Sequence, residues 1–259
     1  MTMRLELMTT TAVARHLAVS PGIIVPVGST EQHGPDGLIG TDFLCPEVIA
    51  RRMGERHGVI VAPTISYGMS QFHLGFPGTI SLRPSTLSAL THDVVASLAA
   101  TGFRNIYILN GHGGNIGPLR SAVQEFYAAR SFARETIPAA VHCLIRSWWE
   151  LPTVDALRRK LYGAAEGYHA TPSEVAITMA AHPASIQPFE RPPPSAAAIG
   201  DMLIHAGDNY YDAADFKARF PDGRVISDSA RATPADGEIL IAAAIDDLAA
   251  DVAAFMARS

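Results

Sequence analysis

Four polar residues stand in Gly-rich stretches, three of them just beyond short apolar runs. Glu31 and His33 lie in Gly28-Ser29-Thr30-Glu31-Gln32-His33-Gly34-Pro35, directly after the run from Gly22 to Val27. His112 lies in Asn110-Gly111-His112-Gly113-Gly114-Asn115, after the run from Asn105 to Leu109, and Asp42 follows Gly40-Thr41. Residues two apart on an extended segment project to one side, so Glu31 and His33 can reach neighbouring metal ions. Asp42 offers a short carboxylate able to bridge two cations, and His112 adds an imidazole from a different segment. Imidazole mixed with carboxylate favours Zn, Mn or Fe over Mg, which prefers oxygen ligands and retained water.

Two divalent ions would supply what amide hydrolysis needs. A water held between them becomes hydroxide near neutral pH, and an ion polarises the carbonyl under attack. Roughly four positive charges are matched by three carboxylates and one hydroxide. Glu31 and Asp42 supply two. Glu174, in Gly167-Tyr168-His169-Ala170-Thr171-Pro172-Ser173-Glu174, is the candidate third ligand; the alternative is a first-turn Glu held by the helix dipole. His169 beside an activated water can pass a proton to the leaving nitrogen. The expected metal ligands are therefore Glu31, His33, Asp42, His112 and Glu174, with His169 and Glu174 in catalysis.

The elements that position these residues alternate. Gly22–Val27, Val59–Ala62, Asn105–Leu109 and Ala139–Ile145 read as buried strands. Cys45–Arg56, Thr86–Ala100 (Ser85 as cap), Pro118–Arg134, Thr171–Ala181 and Gly237–Ala257 read as helices. The small face of the last suits close packing on a neighbour. Pro183–Ala198, with its triple proline, reads as an extended surface segment. Strands alternating with helices imply an α/β fold with a parallel sheet covered on both faces. Ligands then bind beyond the carboxyl ends of the strands, where both polar loops fall.

A chain of 259 residues, 48% hydrophobic, can bury a full core, and a single domain over residues 1–259 is expected. Apolar stretches such as Ile239–Leu248 are too short to span a bilayer, and Met1–Glu6 lacks the pattern of a signal peptide, so a soluble cytoplasmic protein is expected, with no membrane partner. Cys45 and Cys143 have no CxxC spacing and read as reduced thiols. The net charge of -5 is spread along the chain. Arg51-Arg52 and Arg158-Arg159-Lys160, each on a helical pattern, are too small for a phosphate-tracking surface, so nucleic acid is not an expected partner. There is no Gly-x-Ser-x-Gly elbow, Gly-x-Gly-x-x-Gly fingerprint, Walker motif or His-Glu-x-x-His.

The stretches GSTEQHGP, GTD, FPGTISL and NGHGGN resemble the creatininase family, the creatinine amidohydrolases and their relatives. The likeness is close over Gly22–Asn115 and looser through His169–Ala181. It implies a three-layer α/β/α sandwich with a mostly parallel central sheet, a binuclear metal centre, and a homo-oligomer that is often a hexamer. Glu31, His33, Asp42 and His112 match the family's metal-ligand positions, with Asp42 bridging, and His169 matches the proton-transfer position. Creatininase carries a ligand Glu two residues after the His of its NGH loop; Gly114 stands there in this chain. Relatives with NGHGGN carry a Glu five residues after the later His, which fits His169 and Glu174.

Ala165 and Glu166 replace the Trp and Asp that precede the catalytic His in creatininase, so creatinine is not the expected substrate. Trp148 and Trp149 resemble the aromatic segment that covers substrate, although such residues also serve as core or as subunit contacts. Ser70, His73, Gly113, Trp149 and Glu166 are the expected substrate contacts; for Ser70, Gln71 and His73 the alternative is packing of their own loop. The expected activity is metal-dependent hydrolysis of a C–N bond in a small-molecule amide, a cyclic amide or formamide. Alternatives are action on a modified peptide, or a metal- or small-molecule-binding protein without turnover, which would have no use for His169. His16, His57, His92, His142, His182 and His205 read as surface or core residues.

Overall fold

Every residue of β1 (Gly22–Val27) and β3 (Asn105–Asn110) is buried, the mark of strands covered on both faces. The two pair in parallel, with Gly22 opposite Asn105 and Val27 opposite Asn110. β2 (Ile60–Val61) flanks β1 and β4 (His142–Ser147) flanks β3, giving a parallel sheet in the order β2-β1-β3-β4. This computed structural model describes residues 2–133, 140–186 and 212–257.

Alternation along the strands builds two cores. Ile23, Val25, Val27, Ile106 and Ile108 pack with Val95 of α3 (Pro84–Ala100) and Leu119 and Phe126 of α4 (Ile116–Phe132), and Val13 and Leu17 of α1 (Thr10–Leu17) cover the same face. On the other face Ile24, Tyr107 and Leu109 meet Ile49 and Met53 of α2 (Thr41–His57) and Val154 of α5 (Pro152–Tyr162). Ile177 of α6 (Pro172–Ala181) and Leu240 and Leu248 of α8 (Pro234–Met256) complete that layer. The architecture is the expected α/β/α sandwich. α7 (Ala213–Arg219) adds Phe216 to a separate cluster with Phe220 and Val225. No helix among the described residues is long and apolar enough to cross a membrane.

Several boundaries differ from expectation. α2 begins at Thr41, not Cys45, which puts Asp42 in its first turn, where the helix dipole favours a carboxylate. Pro46 lies inside this helix and has no N–H to donate to the Asp42 carbonyl. α3 begins at Pro84, so Ser85 is inside the first turn instead of capping it: a proline at the helix start is preset for helical φ and needs no donor. α4 begins at Ile116, two residues before Pro118, and β4 at His142, while Ala139 and Arg134 fall outside the described residues. Pro183–Ser185 is a short 3-10 turn, and positions 187–198 of the expected extended segment, as well as His205, also fall outside.

α6 and α8 touch through their backbones at Gly237. A Cβ there would lie 2.0 Å from the Ala176 carbonyl oxygen and 2.8 Å from the Ala180 methyl. Gly237→Ala is therefore expected to destabilise the fold by about 1–3 kcal/mol through overpacking, read as a lower denaturant midpoint at unchanged slope. An unchanged midpoint would mean that the two helices can separate freely.

Candidate metal centre

Glu31, His33, Asp42, His112 and Glu174 are brought together at the carboxyl end of β1 and β3. Asp42 lies between two imidazoles, with Oδ1 3.0 Å from His33 Nε2 and Oδ2 2.9 Å from His112 Nδ1. Glu31 Oε2 lies 3.5 Å from His112 Nε2, and Glu174 Oε1 lies 3.8 Å from His33 Nε2. Three groups of donors each gather within 4.8 Å: Glu31 with Asp42 and His112, His33 with Asp42 and Glu174, and Glu31 with His33 and His169. Asp42 belongs to the first two.

The donors fit divalent cations. Both Glu31 oxygens are buried and, among the described residues, make no hydrogen bond of ordinary geometry, the nearest imidazole nitrogens standing 3.3–3.5 Å away, an arrangement that costs free energy unless a cation supplies a closer contact. His33 Nδ1 donates to the Glu31 carbonyl at 3.1 Å, which leaves Nε2 turned toward Asp42. Imidazoles held this way, with one N–H on a backbone carbonyl, are oriented as metal ligands commonly are.

Burial and charge act together on these groups. Burial and the neighbouring Asp42 carboxylate push Glu31 up to about 8, and burial, with Asp42 adding to it, pushes Glu174 up to about 7. Burial alone would lower His33 and His112, but the surrounding carboxylates drive each up to about 10. Burial likewise works against Asp42 as an anion, yet His33 and His112 hold it well below the usual carboxylate range. Burial, followed by the neighbouring His73 and His33, keeps His169 well below an ordinary histidine. Such a cluster demands positive charge, and protons and metal ions compete to provide it.

Two glycines seat Asp42. Cβ atoms at Gly28 and Gly111, just past β1 and β3, would lie 2.2 and 1.9 Å from the Asp42 carbonyl oxygen. The first turn of α2 thus rests on both strand ends, bringing its carboxylate to the loops that carry Glu31, His33 and His112.

The sequence profile of the creatininase family, described as creatinine amidohydrolase, matches residues 6–252. The chain belongs to the creatininase family. It is 38% identical over 120 residues to a mycofactocin precursor peptide peptidase of Mycolicibacterium smegmatis, a match covering 44% of this chain and 48% of the relative. It is 39% identical over 95 residues to a creatinine amidohydrolase of Pseudomonas putida, covering 35% and 36%. The chain thus spans about half or less of the length of these curated relatives. A solved structure described as creatininase Mn superposes with a TM-score of 0.79 at 23% identity, over 97% of this chain and 98% of that one.

In this creatininase-family chain a cavity of about 1450 Å³ opens beside the donors, and Asp42, His112, His169 and Glu174 line it. Gly113, His73, Trp149 and Glu166 also line it. His73 faces the cavity and stacks on His169 with ring centroids 4.3 Å apart. Trp148 is 1% exposed and packs edge-on against Trp149, so it is core as well as cavity wall. Glu166 is bound into the wall, its Oε1 accepting from Arg158 Nε at 2.7 Å and from the Ser173 hydroxyl. Ser70 sits apart from the cavity wall. It is 1% exposed and does not line this cavity; its hydroxyl pairs with that of Ser29 and also acts on the Glu31 carboxylate.

Glu174 lies in the first turn of α6 and also faces the donors. It accepts from the Thr171 N–H at 2.5 Å in a capping box at the start of α6, and it also lies in a donor group with His33 and Asp42. Sequence reasoning missed the strap that holds His169. Val225 pairs antiparallel with His169, the Ser227 hydroxyl donates to the His169 carbonyl, and Ile226 next to them has a left-handed φ of 60°. No residue pattern around Val225 announces a partner so far away in sequence.

Proposed function

We propose that this protein is a metal-dependent amidohydrolase that cleaves a C–N amide bond of a small molecule, a cyclic amide or formamide, with two divalent ions, Zn, Mn or Fe, held by Glu31, His33, Asp42, His112 and Glu174. The observation that carries this reading is Asp42, which offers one oxygen to each of two imidazoles and belongs to two donor groups at once. When bound, the ions would supply an activated water and a polarised carbonyl. His169, buried and held well below the usual histidine range by burial and then by His73 and His33, is the group that would accept a proton and return it to the leaving nitrogen. Gly113 and Trp149 border the space where the amide would lie.

Hydrolysis of a modified peptide is a second reading, favoured by the 38% identity to a peptidase named for a precursor peptide. Both readings are tested by screening metal-reconstituted protein against cyclic amides, formamides, ureas and short peptides, beside metal analysis of the purified chain. About two ions per chain are expected, with turnover lost in His169→Ala. Turnover that survives His169→Ala would remove this residue from the mechanism, and protein that neither holds metal nor hydrolyses any amide after reconstitution would sink the enzyme reading.

A further inference from the structure

Gln32 stands in sequence between Glu31 and His33 and is 5% exposed. Its surroundings fix which way its amide faces. The Gly34 N–H donates to Gln32 Oε1 at 2.8 Å, and Gln32 Nε2 donates to the Gly223 carbonyl at 3.1 Å. Turning the amide over would set donor against donor and acceptor against acceptor. The second hydrogen on Nε2 is left for His73 Nδ1, 2.8 Å away. His73 Nδ1 is then an acceptor, and the ring proton sits on Nε2, 3.3 Å from Glu31 Oε1.

The backbone of the same residue acts on His169. His169 Nε2 lies 2.8 Å from the Gln32 carbonyl oxygen. A carbonyl only accepts, so this nitrogen carries the proton and Nδ1, 3.5 Å from Glu31 Oε1, is bare. The 2.9 Å approach of Gln32 Nε2 to His169 Nε2 is then a contact of two donors, not a hydrogen bond. A Cβ at Gly223 would lie 1.9 Å from Gln32 Oε1, so the amide is enclosed on that side as well.

We propose that Gln32 is a positioning residue that sets the ring protons of His73 and His169 together. His73 thereby turns Nε2–H toward Glu31, and His169 is left with an unprotonated Nδ1 facing the same carboxylate. The catalytic part of this inference rests on the proposed role of His169; the ring-proton assignment does not.

The test is 15N NMR of the histidine ring nitrogens in zinc-loaded protein, at a pH where exposed histidines are neutral, with His73→Gln and His169→Gln spectra for assignment. Wild-type protein should carry the proton on Nε2 of both rings, with Nδ1 bare. In Gln32→Glu an acceptor faces His73 Nδ1, so the His73 proton should move to Nδ1 while His169 keeps its own, and kcat should fall by about 10–100-fold with little change in KM. A wild-type proton on Nδ1 of either ring would overturn the proposal, as would unchanged ring protons and unchanged kcat in Gln32→Glu. If that variant does not fold, the wild-type spectrum still decides the ring protons, and Gln32→Met, which lacks the donor, decides the kcat effect. Wild-type ring protons as assigned, in a protein that turns over no amide, would sink the amidohydrolase reading and support the role of Gln32.

Discussion

Asp42→Ala is expected to empty the centre of both ions, whereas Glu174→Gln should weaken one position only. Asp42 is shared by the Glu31–His112 and His33–Glu174 groups, and Glu174 belongs to the second alone. Removing Asp42 also strips His33 and His112 of the carboxylate that faces each at about 3 Å. Loss of an outer partner commonly costs about 10–100-fold in metal affinity, so loss of a carboxylate common to two positions should exceed that. Metal content after desalting, by elemental analysis, is the measurement. Two ions retained by Asp42→Ala would show that the bridge lies elsewhere; equal losses in the two variants would show that Glu174 is as central as Asp42.

The second large effect separates two glycines of one loop. Gly111 and Gly113 flank His112, yet a Cβ at Gly111 would lie 1.9 Å from the Asp42 carbonyl oxygen and 2.6 Å from the Pro46 ring, while one at Gly113 would meet nothing within 4 Å. Gly111→Ala should therefore push the first turn of α2 off the strand ends, costing about 1–3 kcal/mol or more and misplacing Asp42, so that metal content falls with stability. Gly113→Ala should stay within about 0.5 kcal/mol of wild type and keep its metal. Comparable denaturation midpoints and metal contents for the two variants would mean that α2 does not rest on the strand ends as described.

Much of this arrangement was legible in the residue pattern, for identifiable reasons. β1 and β3 are continuous apolar runs because they are buried on both faces, and the polar loops after them stood out against that background. The start of α2 did not show in the pattern, which began at Cys45, because Pro46 is normally found in a first turn and here lies within the helix. The Ser70–Ser29 pairing was not legible, because a hydroxyl in a Gly-rich region looks the same whether it faces a ligand or a neighbouring serine. The partners that orient the imidazoles were illegible for a deeper reason: the carbonyls of Glu31 and Gln32 belong to the backbone, and every residue type carries one. Glu174 was ambiguous for a physical reason, since a carboxylate in a capping box can also face a cluster of donors.

The order of the donors along the chain bears on how the protein comes together. Four of the five come from the segment ending at His112, but Glu174 rides on α6, which is bedded on α8 through the contact at Gly237. A nascent chain released only as far as α4 would hold four donors and no closed centre. Ions gripped by the full set would then act as a rivet set last, not as a nucleus around which the chain gathers. Because such a rivet closes the long loop between His33 and Glu174, it removes more freedom from the unfolded chain than a local clip would, and early and late parts of the sequence would loosen together when it is drawn.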